Sequence, residues 1–266
     1  MLLRLSEYIR LYVGLGTLGV LCLLWSVFAV PLYPLLPARY GERLGRWTIM
    51  RGFRFYLQTL EFIGACRFDL SELDALRDEK QGLILAPNHP SLLDAVMVIS
   101  KFPNIACIMK STLMDSIFFG SGARLARYIR NDPPMHMIKQ AVHELNRSSF
   151  LLLFPEGTRT VTPPVNICKP STGLIAKRAR APVQTLLIET NSEFLGKTWP
   201  LSRRPDMPMV YRIRLGKRFS APTGDVGEFV ADIENYLRDE LQRATLQPPM
   251  QNANDSTQLA ERRPYA

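Results

Sequence analysis

The chain contains, at residues 82–94, the stretch Gly82-Leu83-Ile84-Leu85-Ala86-Pro87-Asn88-His89-Pro90-Ser91-Leu92-Leu93-Asp94. Its first half is a short apolar run between a glycine and a proline, which predicts a buried strand over residues 82–87. Its second half is polar and follows directly where that strand ends. Ligand-binding residues of parallel sheets lie at the carboxyl ends of strands, so we expect a functional loop here.

His89 and Asp94 in this loop are the residue types of a general base and its partner. A histidine can remove a substrate proton when its tautomer is fixed, and an aspartate fixes it by accepting the proton of the far ring nitrogen. We therefore predict that His89 is a base and that Asp94 orients it. Two alternatives stay open: a pair that only contacts water, and Ser91 as the nucleophile of a lipid hydrolase.

The rest of the chain alternates strands and helices. Further apolar runs predict strands at 66–70, 104–109, 150–154, 182–188 and 209–215. Apolar residues at helical spacing predict helices at 132–145, 172–178 and 226–241. Continuous apolar strands separated by helices predict an α/β domain with a largely parallel sheet flanked by helices.

The charge balance favours anionic partners. The chain has 33 Lys and Arg against 24 Asp and Glu, a formal net charge of +9. This suits phosphorylated metabolites, anionic lipid, an acidic carrier protein or nucleic acid, and charge alone does not choose among them. The cysteines lack the spacing of a disulfide framework or a zinc site, and no metal site is expected. We interpret them as free thiols, with a catalytic Cys168 as the alternative.

The amino-terminal part of the chain is predicted to associate with a membrane. Residues 11–38 contain no charged side chain, and residues 11–30 are long and apolar enough for a helix that crosses the hydrocarbon core. Arginines cluster after this segment, which favours a main domain on the cytoplasmic side. The alternatives are a cleaved signal peptide and a segment that enters one leaflet and returns at the following prolines. Residues 47–57 mix aromatic and basic side chains, as in a helix at an anionic lipid interface or a core helix with snorkelling arginines.

These features divide the chain into four parts. We predict a membrane anchor over residues 1–38, an interfacial helical segment over 39–65 and the α/β domain over 66–245. The polar residues 246–266 include few large apolar side chains and are predicted to be a disordered tail.

A second polar loop follows the strand predicted over residues 150–154. It reads Phe154-Pro155-Glu156-Gly157-Thr158-Arg159-Thr160. A glycine permits close approach of the backbone to a ligand, and an arginine offers forked donors that match phosphate or carboxylate oxygens. Because two loops leaving strand ends of one sheet can face a common crevice, we expect an anion site beside His89. The alternative is a structural salt bridge between Glu156 and Arg159.

The two loops together resemble the signature of the membrane-associated glycerolipid acyltransferases, typified by lysophosphatidic acid acyltransferase. That family carries Asn-His-x-x-x-x-Asp, followed some sixty to seventy residues later by Phe-Pro-Glu-Gly-Thr-Arg. Both motifs are present here, at 88–94 and 154–159. The resemblance covers roughly residues 60–220.

The resemblance implies a reaction and a role for each motif. His89 would deprotonate the acceptor hydroxyl while Asp94 steadies it, and the hydroxyl would attack an acyl thioester directly without an acyl-enzyme. The chain lacks the G-x-S-x-G elbow of enzymes that use a serine nucleophile. Gly157 and Arg159 would bind the acceptor phosphate. Glu156 would order its loop or meet the polar groups of the acceptor.

Four further positions are assigned to substrate binding by the same resemblance. Arg130 is the best match for an arginine that the family has between the motifs, and Lys169 matches a lysine that the family often carries. Asn88 and Thr158 belong to the motifs themselves, although Asn88 could instead close its turn by bonding to backbone. The link over residues 161–171 is longer and richer in proline than is usual, which leaves the acceptor open.

We therefore expect a membrane-anchored O-acyltransferase. It would move an acyl group from acyl-CoA or acyl-carrier protein to a lysophospholipid-like hydroxyl, with 1-acylglycerol-3-phosphate as the first candidate. Membrane lipids are the other expected partner, and neither a further cofactor nor nucleic acid is expected. The alternatives are an acyltransferase for a non-phosphate or specialised lipid, and a non-catalytic adaptor for membranes or carrier proteins.

Overall fold

The structure is a computed structural model that describes residues 2–117 and 120–245. The strands in this part of the chain are β1 Cys66–Asp69, β2 Leu83–Pro87, β3 Ile105–Met109, β4 Ile129–Arg130, β5 Phe150–Leu152, β6 Val183–Thr190 and β7 Met209–Phe219. They form one sheet in the order β1-β7-β6-β2-β5-β3-β4. The five strands from β6 to β4 are mutually parallel, whereas β7 is antiparallel to β6 and parallel to β1.

Helices cover both faces of this sheet. They are α1 Leu2–Leu35, α2 Ala38–Phe62, α3 Leu93–Ile99, α4 Ser111–Met114, α5 Gly120–Leu125, α6 Pro134–Asn146, α7 Ser171–Ala179 and α8 Val226–Thr245, with a 3-10 helix at Ser71–Leu76. Side chains of α1, α2, α3 and α5 join the hydrophobic core on one face. Those of α6, α7 and α8 join the core on the other. Because apolar layers lie on both sides, every residue of β2 is buried.

The predicted fold class is confirmed: a largely parallel α/β sheet flanked by helices, preceded by an apolar amino-terminal helix. Two strands differ most from the sequence-based expectation. The edge strand β4 was not predicted, because a strand of two residues shows no periodicity. Strand β7 continues to Phe219, beyond the predicted end at residue 215.

The position of β2 beside β5 decides where the two sequence motifs lie. These strands are parallel neighbours, with Leu83 opposite Phe150 and Leu85 opposite Leu152. Both strands therefore end at the same edge of the sheet, which we name the carboxyl edge. The loops that follow them emerge side by side there and can face a common crevice, as the sequence predicts.

Helix α1 packs along the α/β domain on one side and exposes apolar side chains on the other. A Cβ added to Gly14 would lie 2.8 Å from Leu60 of α2, and one added to Gly122 of α5 would lie 2.5 Å from Trp25. Contacts also occur towards both ends of α1. Glu7 pairs with Arg204, and Tyr33 lies 5.0 Å below the Arg127 guanidinium. The outer face includes Tyr12, Val20, Leu24, Val27, Phe28 and Val30.

Within the described residues, Leu5–Leu35 is one helix long and apolar enough to cross a membrane, judged by length and composition alone. Helix α1 ends at Leu35 and α2 begins at Ala38. The division into anchor, interfacial segment and α/β domain stays a prediction. The tail expected over residues 246–266 lies outside the described residues.

Candidate active site

Asn88 joins the end of β2 to the neighbouring strand β6. Its side-chain amide donates to the Ile188 carbonyl oxygen at 3.0 Å, and its side-chain oxygen accepts from the Ile188 N–H at 2.7 Å. Both bonds are buried, so the amide extends the pairing of the two strands. Of the two roles considered for Asn88, this geometry matches the bond to backbone.

His89 and Asp94 form the expected pair. The His89 Nδ1 and Asp94 Oδ2 atoms are 2.8 Å apart, and the His89 ring stacks on Phe154 with centroids 3.7 Å apart and an interplanar angle of 17°. The Asp94 side chain is fully buried, whereas that of His89 is 13% exposed. Among the described residues, His89 Nε2 has no hydrogen-bond partner. The ring is therefore held by a hydrogen bond and by a stacking contact, and one nitrogen is left for a substrate.

Burial and hydrogen bonding have opposite effects on the pKa of Asp94. Burial raises the pKa of Asp94, and the hydrogen bonds from His89 and from the Ser91 backbone, with the nearby Arg159 charge, oppose that rise. The Ser91 N–H donates to the same Oδ2 atom at 2.8 Å. The second oxygen, Oδ1, is buried without a partner in the described part of the chain. The Asp94 side chain is therefore held through one oxygen atom, which contacts both the His89 ring and the Ser91 backbone.

Glu156 links the two motif loops from a buried position. Its Oε1 accepts the His89 N–H at 2.8 Å and the Thr160 hydroxyl at 2.8 Å, and its Oε2 accepts the Asn166 N–H at 2.8 Å. The Thr160 N–H donates to the His89 carbonyl oxygen at 2.7 Å. Burial raises the pKa of Glu156, and these hydrogen bonds oppose that rise. The geometry matches the loop-ordering role considered for Glu156.

The middle of the second motif is exposed and lies beside a lysine. Gly157 has φ of +67°, a conformation that a side chain would strain. A Cβ at this position would lie 3.0 Å from the Lys169 Nζ atom. The Lys169 N–H donates to the Pro155 carbonyl oxygen at 2.8 Å, which closes the 156–168 loop. The exposed Thr158 lies between Gly157 and Arg159.

Arg159 is held by carbonyl oxygens. Its Nη1 donates to the carbonyls of Leu195 and Gly196, each at 2.8 Å. In the described part of the chain its Nε and Nη2 groups have no hydrogen-bond partner, and it forms no ion pair with Glu156. Burial lowers the pKa of Arg159, and the Asp94 carboxylate opposes this. Two donors thus remain for an anion.

Arg130 lies on the same edge of the sheet, but farther from His89. It ends β4, three strand positions from β2, which corresponds to ~14 Å. Its guanidinium contacts Asp115 through two bonds of 2.7 and 2.9 Å and Asp132 through one of 2.8 Å. The Asp115 carboxylate raises the pKa of Arg130. Two acidic partners therefore offset its charge.

The alternative nucleophiles are poorly placed. The Ser91 hydroxyl is buried, donates to the Phe194 carbonyl oxygen at 2.9 Å and accepts the Leu93 N–H at 3.2 Å. Burial raises the pKa of Cys168 to about 12, so its thiol is protonated at neutral pH. Within residues 2–117 and 120–245, no group of three or more His, Cys, Asp or Glu side chains could hold a metal ion.

Sequence reasoning missed three parts of this site. Phe154 was recognised as the first residue of the second motif but was given no role, yet its ring supports His89. Asn166, whose N–H bonds Glu156, lies in the proline-rich link. The Leu195 and Gly196 carbonyls that hold Arg159 belong to a loop whose sequence contains no recognisable motif. Of these, only Phe154 could have been predicted from the sequence, because it is the first residue of the motif.

Comparison with known proteins shows which family this chain resembles. The sequence profile of the family described as Acyltransferase matches residues 67–189, which include both motifs. Over both motifs the chain therefore resembles this family, as expected from the sequence. A 1-acyl-sn-glycerol-3-phosphate acyltransferase of Pseudomonas aeruginosa is 26% identical over 205 residues, covering 74% of this chain and 75% of the relative.

A solved structure has the same fold. The crystal structure of the 1-acyl-sn-glycerophosphate (LPA) acyltransferase PlsC from Thermotoga maritima superposes with a TM-score of 0.69 and 15% sequence identity, covering 93% of this chain and 99% of that one. The expected family and enzyme class are confirmed. The protein is an acyltransferase, and the non-catalytic adaptor is set aside.

Replacing Glu156 by glutamine tests whether this carboxylate orders the acyltransferase site. The amide nitrogen cannot accept a hydrogen bond, so the N–H of either His89 or Asn166 would lose its buried acceptor. We expect Glu156→Gln to lower the free energy of unfolding by about 1–3 kcal/mol and to reduce turnover. Urea unfolding and thioester assays measure the two effects. The exposed Glu193→Gln is the control, and equal behaviour of the two variants would contradict the bracing role.

Proposed function

We propose that this acyltransferase transfers an acyl group from acyl-CoA or acyl-carrier protein to the hydroxyl of 1-acylglycerol-3-phosphate. The observation that carries the proposal is the 2.8 Å contact between His89 Nδ1 and the buried Asp94, which leaves His89 Nε2 without a protein partner. The name of the Pseudomonas aeruginosa relative supports the acceptor. The tautomer with hydrogen on Nδ1 satisfies the aspartate and makes Nε2 a base.

The reaction needs one base and no covalent enzyme intermediate. His89 Nε2 takes the proton of the acceptor hydroxyl as the hydroxyl oxygen bonds to the thioester carbonyl carbon. Asp94 stabilises the imidazolium that results. The carbon–sulfur bond then breaks, and the departing thiolate receives the proton from His89. Ester and free thiol leave together, and the histidine returns to its starting state.

The phosphate of the acceptor is assigned to the basic groups of the second motif. Arg159 retains two unpartnered donors, and the Lys169 amine lies next to Gly157, where an added side chain would collide with it. Arg130 is a more distant contributor, because Asp115 and Asp132 already engage its guanidinium. A non-phosphate lipid acceptor remains the second candidate, favoured by the long proline-rich link.

Substitutions of His89 and Asp94 test the base. His89→Ala removes the base, so kcat should fall by about 10² to 10⁴. Asp94→Asn retains the shape but no longer selects the Nδ1–H tautomer, and a loss of about 10²-fold or more is expected. Thiol release from an acyl thioester measures both. Ser91→Ala, which removes no proposed chemical step, serves as the comparison. Unchanged kcat in His89→Ala would overturn the assignment.

The phosphate assignment is tested by changing enzyme and acceptor together. Arg159→Lys keeps a positive charge but loses the forked donors, so kcat/KM for 1-acylglycerol-3-phosphate should fall about tenfold or more. Activity with monoacylglycerol, which lacks the phosphate, should change much less. Arg130→Gln should reduce the ratio of the two activities by about threefold at most, because its charge is already offset. Equal losses on both acceptors in Arg159→Lys would indicate general damage rather than phosphate binding.

We also infer that α1 lies along the membrane surface rather than crossing it. At ~1.5 Å per residue, the whole of α1 is longer than the ~30 Å hydrocarbon core. It touches the α/β domain near both ends, through Glu7 and Tyr33. A helix that crosses a bilayer would have to leave the domain, whereas a helix in the interface keeps these contacts and places its apolar outer face in lipid. The cytoplasmic location of the domain stays a prediction.

Sidedness of the two chain ends distinguishes these arrangements. If α1 lies in the interface, tags at the amino and carboxyl termini should be digested together by protease added to one side of sealed vesicles. A crossing helix would protect the amino-terminal tag and expose the other. A protein enclosed in the vesicles, and digested only after detergent is added, controls for leakage.

A further inference from the structure

A large cavity lies at the edge of the sheet opposite the candidate active site. Its volume is about 840 Å³. It opens beside the residues that precede β3 and β5, and these strands run parallel to β2, so it is separated from His89 by about 15 Å, the length of a strand. Its lining includes Arg39, Arg43, Trp47, Asn104, Arg147 and Ser149.

The floor of this cavity is a satisfied ion-pair network. Arg46 is 1% exposed and contacts Glu42 at 3.0 Å, Glu144 at 2.7 Å and the Ala126 carbonyl oxygen at 3.1 Å. Arg147 shares the same two glutamates, at 3.1 and 3.2 Å. Two arginines are therefore matched by two glutamates, and the floor carries little net charge.

The rim carries the uncompensated charge. Arg39 and Arg43 are exposed on the first turns of α2, and neither forms an ion pair with any described residue. They lie above a floor that is already neutral. An anion bound between them would gain two forked donors without displacing an existing partner.

Apolar side chains surround this positive rim. Tyr40, Leu44 and Trp47 are exposed on the same helix, and Leu35 is exposed where α1 ends. This surface is continuous along the chain with the apolar outer face of α1. A soluble anion would make no use of such a rim, whereas a phospholipid offers a phosphate for the arginines and chains for the apolar residues.

We propose that this cavity binds the phosphate headgroup of an anionic phospholipid that is not the substrate. Arg39 and Arg43 contact the phosphate, and Trp47 lies at the level of the headgroups. The lipid holds the turn between α1 and α2 at the membrane surface, away from the carboxyl edge where acyl transfer is assigned. Binding at this site does not depend on the identity of the acyl acceptor, so it can be tested without catalysis.

The test titrates the full-length protein, in neutral detergent micelles, with short-chain phosphatidylglycerol and follows tryptophan fluorescence. Each arginine is expected to contribute about fivefold in affinity, so Arg39→Gln with Arg43→Gln should weaken binding by about 25-fold. Short-chain phosphatidylcholine should bind weakly to the unmodified protein and to this double variant. The control, Lys139→Gln with Arg178→Gln, removes the same charge from exposed positions on α6 and α7 and should change affinity by less than about twofold.

Two results would overturn the site. Equal weakening in the two double variants, or wild-type affinity in Arg39→Lys with Arg43→Lys, would mean that only diffuse charge attracts the lipid. The Arg39→Gln with Arg43→Gln variant could instead show a raised KM for acyl-CoA in lipid-free micelles and unchanged binding of phosphatidylglycerol. That result would assign the rim to the nucleotide of the acyl donor. Because the titration contains no acyl donor, its outcome is independent of the assignment of His89. Thermal unfolding checks that each variant is folded.

Discussion

The candidate site depends on one buried carboxylate, that of Glu156. It accepts hydrogen bonds from the backbone of His89 in the first motif and from Thr160 and Asn166 on its own side. Each of those donors would cost about 1–3 kcal/mol if it were left buried without an acceptor. The proposed base and anion site are therefore ordered by the same group. The parallel pairing of β2 with β5 makes this possible, because it brings both loops to one edge of the sheet.

Much of this arrangement could be predicted because it is encoded locally. The apolar runs before residues 88 and 154 identify strands buried on both faces, and polar residues after such strands lie at a ligand-binding edge. Pairing between distant segments could not be predicted in this way. Nothing in one strand indicates that β7 reverses direction, or that β4 closes the other edge. The resemblance to acyltransferases supplied the link between the motifs, and the structure shows that hydrogen bonds form it.

The motif residues divide into two groups by the hydrogen bonds of their side chains, and the sequence does not show this division. Asn88 and Glu156 use their side chains to bond other parts of the protein, whereas His89 and Arg159 retain nitrogen atoms without a partner among the described residues. A motif shows which residue types occur together and does not show which of them face a substrate. That distinction requires a complete account of donors and acceptors, and such an account requires coordinates.

The loop around Leu195 and Gly196 holds Arg159 through backbone carbonyl oxygens rather than through side chains. Leu195 adopts φ of +58°, a left-handed conformation that costs a leucine about 1–3 kcal/mol. In this conformation its carbonyl oxygen accepts both the Arg159 Nη1 at 2.8 Å and the Leu92 N–H at 3.2 Å. One strained residue thus joins Arg159 to the loop of His89. The same loop continues to Arg204, which pairs with Glu7 of α1. A short stretch of backbone therefore connects the packing of the amino-terminal helix to the position of Arg159.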